Sequence, residues 1–297
     1  MLRVSILILF ICAFTSNISA LAQAASSKEQ IEQATIAFSD SPTADARRHL
    51  NDLLSTYQGP PTVQSINGHL TLFYHDAPSE DFSLIRETAT ATFNHLEPVS
   101  EIMPRQYLDA RFLAAVAAFN AEKDENTPYE LAHVQGLSKQ VEPDGAWPDW
   151  AKSTHYLARA WGLATVADLE ADEEKTVSRE TYDEILNGYP PRTPVRPEYG
   201  ALPNCDGEFR NRAKVKYPRI AAKQGQWGAV ILQYDLDDEG RVTNESVLAA
   251  IPEGAFEQAA LKWVKKYRFR AENRDQVGVT CRLNRRGIVQ DLVFQID

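Results

Sequence analysis

The sequence lacks the motifs that mark common catalytic and cofactor-binding sites. It has no H-E-x-x-H, G-x-S-x-G, P-loop or G-x-G-x-x-G pattern, and no EF-hand loop or metal-binding cysteine cluster. No two of its six histidines are four positions apart, so no helical metal-binding pair is present. We therefore predict that the protein is not an enzyme and that it has no cofactor and no metal site.

Long apolar runs are also missing. The N-terminal run from Val4 to Phe14 has eleven residues, fewer than the roughly 20 that a helix needs to cross a bilayer. It follows Arg3 and precedes small residues that extend to Ala24, which is typical of a secretory signal peptide. We expect residues 1–24 to be removed and the mature chain to act outside the cytoplasm. An uncleaved N-terminal membrane anchor is the alternative.

Cysteine is scarce, with three residues in the whole chain. Cys12 lies in the predicted signal peptide, which leaves Cys205 and Cys281 in a compartment that permits oxidation. Their spacing is not that of a C-x-x-C redox motif. We predict a structural disulfide between them, and two free thiols are the alternative.

Basic residues are not in excess, since 31 Lys and Arg stand against 41 Asp and Glu. From Gln23 to Asn204 the count is 14 basic against 28 acidic, whereas from Cys205 onward it is 16 against 13. The acidic larger part argues against a nucleic-acid partner. The asymmetry indicates two units with different surfaces.

Residues 25–189 have the periodicity of helices. One apolar stripe contains Leu108, Phe112, Ala115, Val116 and Phe119. Proline and glycine interrupt such stretches repeatedly, and we predict seven or eight helices in an all-α domain that resembles a helical repeat. Residues 190–204 then contain five prolines, which predicts an extended Pro-rich linker.

Residues 205–297 change to a period of two. A half-buried strand is predicted by the alternation of Val230, Leu232, Tyr234 and Leu236 with less apolar positions. A turn at Gly240 leads to a second strand, and an apolar stripe from Phe256 to Tyr267 predicts a helix across the sheet. Residues 211–224 are predicted as a first helix and residues 288–296 as a last strand. The fold class is therefore α+β multidomain, with an all-α domain followed by a small α+β domain that contains an antiparallel sheet.

Several short motifs occur in order in this last part: Lys216-Tyr217-Pro218, Ala221-Ala222, Gly225, Gly228, Val230, Gly240-Arg241-Val242, Asn244, Val247, Pro252, Phe256, Ala259-Ala260 and the stretch from Trp263 to Phe269. Together they resemble the C-terminal domain of the TonB family of energy transducers. The resemblance covers about 85 of the 297 residues and leaves the helical part outside. It implies a periplasmic domain that pairs with a short extended peptide, the TonB box, of outer-membrane receptors.

An open sheet exposes unpaired backbone groups on its edge strand, and an extended peptide can add there. The resemblance implies that the peptide-binding residues are Tyr217, Pro218, Gln290, Leu292 and Phe294. The expected partner is an outer-membrane receptor or another envelope protein, in connection with energy-coupled transport across the outer membrane. The alternative is a structural or assembly module that forms a homodimer through its sheet edge without energy transduction.

The chain departs from the family pattern at both ends of the resemblance. Lys216 stands where the family archetype has Gln, and Ala271 stands where the family commonly has Pro. Energy transducers of the family have a transmembrane helix with a His that engages an inner-membrane motor, followed by a long Pro-rich spacer. The N-terminal apolar segment here has no His, and the proline-rich run from Pro190 to Pro203 has fourteen residues. We therefore expect no contact with the motor, and full TonB action through an uncleaved, membrane-anchored N-terminus is the second hypothesis.

Overall fold

The computed structural model describes residues 27–141, 147–172, 174–189, 203–209, 215–272 and 281–295. The predicted signal peptide and residues 190–202 of the predicted linker lie outside the described residues. The chain divides into two compact units, Met1–Ala117 and Ala118–Asp297. The domain boundaries proposed from the sequence, 25–189 and 205–297 around the linker, stay a prediction.

The first unit is helical. Its elements are α1 (residues 27–40), α2 (Ala44–Thr56), α3 (Val63–Asp76), α4 (Phe82–Leu96), a 3-10 turn (Glu97–Val99) and the first part of α5 (Pro104–Glu122). Helix α3 begins with a capping box, in which Thr62 and Ser65 each accept the other's backbone N–H. Buried Asp76 binds Arg47, whose Nη2 lies 2.7 Å from Oδ2, and this pair joins α3 to α2.

The second unit contains three more helices ahead of its strands. The helices are α6 (Thr127–Gln140), α7 (Asp149–Glu170) and α8 (Arg179–Asn187). Tyr182 of α8 is fully buried, and its hydroxyl donates to Gln135 Oε1 of α6 at 2.9 Å. A Cβ at Gly162 of α7 would lie 2.6 Å from the Tyr182 ring, so this contact requires glycine. Eight helices in the described part up to residue 189 agree with the predicted seven or eight.

The C-terminal elements are β1 (Gly207–Phe209), α9 (Arg219–Lys223), β2 (Gly228–Leu236), β3 (Val242–Ile251), α10 (Glu257–Val264), β4 (Phe269–Ala271) and β5 (Arg285–Phe294). Strands β3, β2 and β5 form an antiparallel sheet in that order, and β1 pairs with β4 in a separate small sheet. Gly240, with φ of +73°, makes the turn between β2 and β3. The α+β fold class is confirmed.

Two boundaries in this part were predicted wrongly. The first helix begins at Arg219 and residues 215–218 are not helical, because proline disfavours helical backbone in the residue before it and Pro218 stands at the N-cap. The last strand begins at Arg285 rather than at residue 288. Strands β1 and β4, each of three residues, were not predicted.

Strand β2 is buried on both faces, whereas the sequence pattern predicted burial on one face. Val230, Leu232 and Tyr234 face the core around α10, and all three are fully buried. Ala229 and Ile231 point the opposite way into a second apolar cluster with residues of α7, and both are also fully buried. The reason is tertiary, since a helix outside the family resemblance covers the face that would otherwise meet water.

Candidate functional site

Strand β5 is at the edge of the sheet. It pairs with β2 along its length, from Gly228 opposite Phe294 to Leu236 opposite Arg285. Among the described residues, no strand pairs with the outer side of β5. The backbone N–H and C=O groups on that side can therefore extend the ladder if a further strand is added.

The predicted residues of β5 lie on one face of the strand. Gln290, Leu292 and Phe294 are paired with Leu232, Val230 and Gly228, and this face meets the α10 core. Phe294 is buried and stacks on Phe256 with ring centroids 4.4 Å apart. The side chains of Leu292 and Phe294 therefore hold the strand in place, and the strand's backbone is the part that a peptide could use.

Tyr217 lies next to this end of β5. Its ring packs edge-on against Phe256 at 5.6 Å and against Phe294 at 5.8 Å. Its hydroxyl donates to the backbone carbonyl of Gln226. The following Pro218 caps α9, so the structure brings Tyr217 and Phe294 together while Pro218 shapes the helix entry.

The predicted disulfide between Cys205 and Cys281 is present. The backbone N–H of Cys205 donates to Arg282 O at 3.0 Å, and Asn204 forms a parallel bridge with Arg282. The bond therefore joins the segment before β1 to the segment that leads into β5. Because its sequence separation is 76 residues, it restricts a large loop of the unfolded chain.

Two buried tyrosines line the core beneath β5. Burial raises the pKa of Tyr234 to about 12. Burial and the neighbouring Tyr234 also raise the pKa of Tyr267 to about 12. Both phenols are therefore neutral at physiological pH and pack in the apolar core.

A cavity of about 440 Å³ lies at the hairpin end of the sheet, where β5 begins. Its walls carry both charge signs, from Asp235, Asp237, Asp238, Arg282, Arg285 and Arg286. Asp235 accepts hydrogen bonds from Asn244 Nδ2 at 2.9 Å and from Gly287 N at 2.8 Å. The carboxylates thus have neighbouring donors, and the mixture of charges favours neither a cation nor an anion.

The opposite face of the sheet has contacts that sequence reasoning missed. Arg159 of α7 donates from Nη2 to Asp291 Oδ2 at 2.5 Å, and Gln295 Nε2 donates to Ala167 O at 3.0 Å. The available signal was the run of apolar residues on both faces at the start of β2, which is typical of a strand buried on two sides. Only this run, and no recognisable motif, indicated that a helix would lie here.

Neither a metal site nor a membrane-spanning helix is evident in the described part of the chain. Its His, Cys, Asp and Glu residues form no group of three or more that could hold a metal ion. None of the helices described above is both long and apolar enough to cross a membrane.

These features define a small α+β domain with an open antiparallel sheet whose last strand is at the edge. Residues 213–287 match the family described as Gram-negative bacterial TonB protein C-terminal. Over 61 residues the chain is 43% identical to Protein TonB of Yersinia enterocolitica. This alignment covers 20% of the chain and 24% of the relative, so the chain spans about a quarter of the length of that curated protein.

The solution NMR structure of the Pseudomonas aeruginosa TonB C-terminal domain is also similar, at 22% identity and a TM-score of 0.27, over 34% of this chain and 97% of that one. The family resemblance of the C-terminal part is confirmed by the family match and by the Yersinia relative. Residues 213–287 thus match the TonB C-terminal domain, and helices α1 to α8 lie outside the match.

Proposed function

We propose that the protein is a periplasmic TonB-like protein whose C-terminal domain binds an extended peptide of an outer-membrane TonB-dependent receptor or of another envelope protein. Binding takes place by strand addition to β5 and serves energy-coupled transport across the outer membrane. The observation that carries the proposal is the outer side of β5, with which no described strand pairs. The family match of residues 213–287 supports the choice of partner.

The chemistry of strand addition fits this edge. Main-chain hydrogen bonds would supply affinity, and alternate peptide side chains would contact the two faces of the enlarged sheet. Tyr217 packs on buried Phe294 at one end of the strand, and its half-buried ring offers aromatic surface to an apolar peptide side chain. The acceptor strand is already held by its partner β2, so little ordering is needed on binding.

The test is an NMR titration of the full mature chain with a synthetic TonB-box peptide. We expect shifts of the backbone amides of residues 285–294, and smaller shifts near Tyr217. The matched control is the same peptide with N-methyl groups on alternate backbone amides, which keeps every side chain but removes donors from the ladder. Equal binding of both peptides, or shifts that avoid β5, would contradict strand addition.

The same edge could pair with a second copy of the chain, which is the alternative function as an assembly module. Sedimentation of the full chain distinguishes the two. A monomer that binds peptide supports the receptor-binding function, whereas a dimer that excess peptide does not dissociate supports assembly through the edge.

The proposed location is testable by mass spectrometry of the protein purified from cells. A mature chain that begins near Gln23 or Ala25 supports export and cleavage. A chain that begins at Met1 supports the anchored alternative and direct participation in energy transduction.

A further inference from the structure

Helix α7 makes two polar contacts with the C-terminal segment of the second unit, one with strand β5 and one with the residue that follows it. Arg159 Nη2 lies 2.5 Å from Asp291 Oδ2, and Gln295 Nε2 lies 3.0 Å from Ala167 O. Eight helical residues separate the two points on α7, which is about 12 Å. On the other side, Gln295 directly follows β5 and is four positions after Asp291, which is about 13 Å in extended backbone. The helix therefore runs alongside the strand in the same direction and matches it in length.

Apolar packing fills the space between these two contacts. Val289 and Val293 lie on the same face of β5 as Asp291 and pack against the cluster that contains Leu163 and Ala164 of α7. The face of the acceptor strand that points away from α10 is thus covered by α7. Helix α7 does not block the outer edge of the strand, because backbone N–H and C=O groups point within the plane of a sheet whereas α7 packs on its face.

The guanidinium of Arg159 compensates the negative charge of the Asp291 carboxylate. The Asp291 side chain is 19% exposed, and its other carboxylate oxygen, Oδ1, is buried without a hydrogen-bond partner in the described part of the chain. Removal of the guanidinium would leave an uncompensated, largely buried carboxylate. The favourable response would be for β5 to move so that Asp291 reaches water, which would distort the strand next to its free edge.

We propose that Arg159 is a positioning residue for peptide binding: through Asp291 it holds β5 against α7, so the functional peptide-binding module includes α7 as well as the TonB C-terminal domain. This inference rests on the proposed function. An edge strand that is held straight before binding loses less freedom when a peptide adds to it. Arg159 itself touches no peptide in this arrangement and acts only through Asp291.

The experiment uses the full chain and the variant Arg159→Ala, with the TonB-box peptide as probe. We expect the Kd of the peptide to rise roughly tenfold in the variant, because the ion pair that positions β5 is lost. Amide hydrogen exchange of residues 288–293 should accelerate in the variant even without peptide. A charge-swapped double variant, Arg159→Asp with Asp291→Arg, should recover both the affinity and the exchange protection in part.

The matched control is Asp168→Ala. Asp168 is also on α7 and makes an ion pair of similar length, 2.6 Å, with Lys123, which directly follows α5, but the pair does not involve β5. We expect this variant to keep the wild-type Kd and the wild-type exchange of β5. Equal losses in the two variants would mean that α7 contributes only general stability, and the positioning role would be overturned.

The failures of the two proposals are distinguishable. If the wild-type chain does not bind the peptide, the proposed function fails, and the exchange of β5 without peptide still decides whether Arg159 positions the strand. If the wild-type chain binds and Arg159→Ala binds equally well with unchanged exchange, the positioning role is wrong and the proposed function stands.

Discussion

The two faces of the C-terminal sheet are covered by different parts of the chain, and the central strand β2 is buried on both. One face packs on α10 and belongs to the region that matches the TonB family. The other packs on α7, which lies outside the match. A match to a small domain therefore describes the core of that domain and carries no information about which neighbouring part of the chain covers its remaining surface.

The faces also differ in how they are secured. The α10 face has a covalent tie, the disulfide between Cys205 and Cys281, near its edge. The α7 face has apolar packing, one ion pair to Asp291 of β5, and one hydrogen bond from Gln295, which follows the strand. If the covalent tie matters more than the noncovalent contacts, its loss should lower the free energy of unfolding more than the loss of any single contact on the α7 face.

The largest expected effect is loss of the disulfide. The double variant Cys205→Ser, Cys281→Ser should lower the free energy of unfolding of the full chain by about 4 kcal/mol, because a long loop of the unfolded chain becomes unrestricted. Urea unfolding monitored by tryptophan fluorescence measures the change. A loss below about 1 kcal/mol would show that the α10 face does not depend on its covalent tie.

A pair of substitutions in β2 compares the two faces directly. Ile231 and Leu232 are adjacent and both are fully buried, but Ile231 faces α7 and Leu232 faces α10. We expect Ile231→Ala and Leu232→Ala each to cost about 3 kcal/mol in urea unfolding, since both leave a cavity in a packed core. A cost below about 1 kcal/mol for Ile231→Ala alone would mean that α7 is only loosely docked on the sheet.

Acid should weaken the helical side of the second unit selectively. The pKa of His155 is lowered to about 3, mainly by burial. The hydrogen bond to Gln135 O raises this pKa, whereas the positive charges of Lys139 and Arg159 lower it further. The unfolded chain takes up this proton near pH 6.5 and the folded chain does not. Protonation of His155 in the unfolded chain therefore lowers the free energy of unfolding. This free energy has its full value above pH 6.5, falls as the pH drops toward 3, and is about 2 kcal/mol lower at pH 5.

Urea unfolding at pH 7.5 and pH 5 of the wild type and of His155→Gln measures this effect. Glutamine cannot be protonated in this range, so the variant should lose less stability on acidification than the wild type. Parallel pH dependences would exclude His155 as the cause. The sequence after His155 contains no histidine, so the α10 face offers no equivalent group.

The smallest expected effect concerns Tyr217 at the end of β5. Tyr217→Phe removes the hydrogen bond to Gln226 O but keeps the ring contacts with Phe256 and Phe294. We expect a loss of about 1 kcal/mol in urea unfolding. The control is Tyr57→Phe, where the hydroxyl donates to Pro60 O in an exposed position, and no measurable change is expected there.

Much of the C-terminal domain was predictable from short-range patterns. The alternation from Val230 to Leu236, the turn at Gly240 and the apolar stripe that begins at Phe256 each follow from local periodicity, and each corresponds to an element of the structure. Strands β1 and β4 have three residues each, too few to show a period. Helix α9 is shorter than predicted because one residue, Pro218, restricts the backbone before it.

The candidate site was predictable in part. The contact between Tyr217 and Phe294 joins residues from opposite ends of the domain, and only the family resemblance indicated it. The contact between Arg159 and Asp291 joins residues separated by 132 positions, and neither residue belongs to a recognisable motif. No periodicity in the sequence connects them.

The sequence by itself determined the α+β class and the resemblance of the C-terminal part to the TonB C-terminal domain, because both depend on local patterns, and it predicted the pairing of Cys205 with Cys281 from the count of available thiols. Only the tertiary structure decided that α7 covers the second face of the sheet and leaves the outer side of β5 without a described partner strand. The physical reason is that the hydrophobic effect is non-directional and does not depend on how far apart two apolar residues are in the sequence. Ile231 is stabilised equally by any apolar surface that excludes water, and the choice of α7 depends on how the whole unit packs.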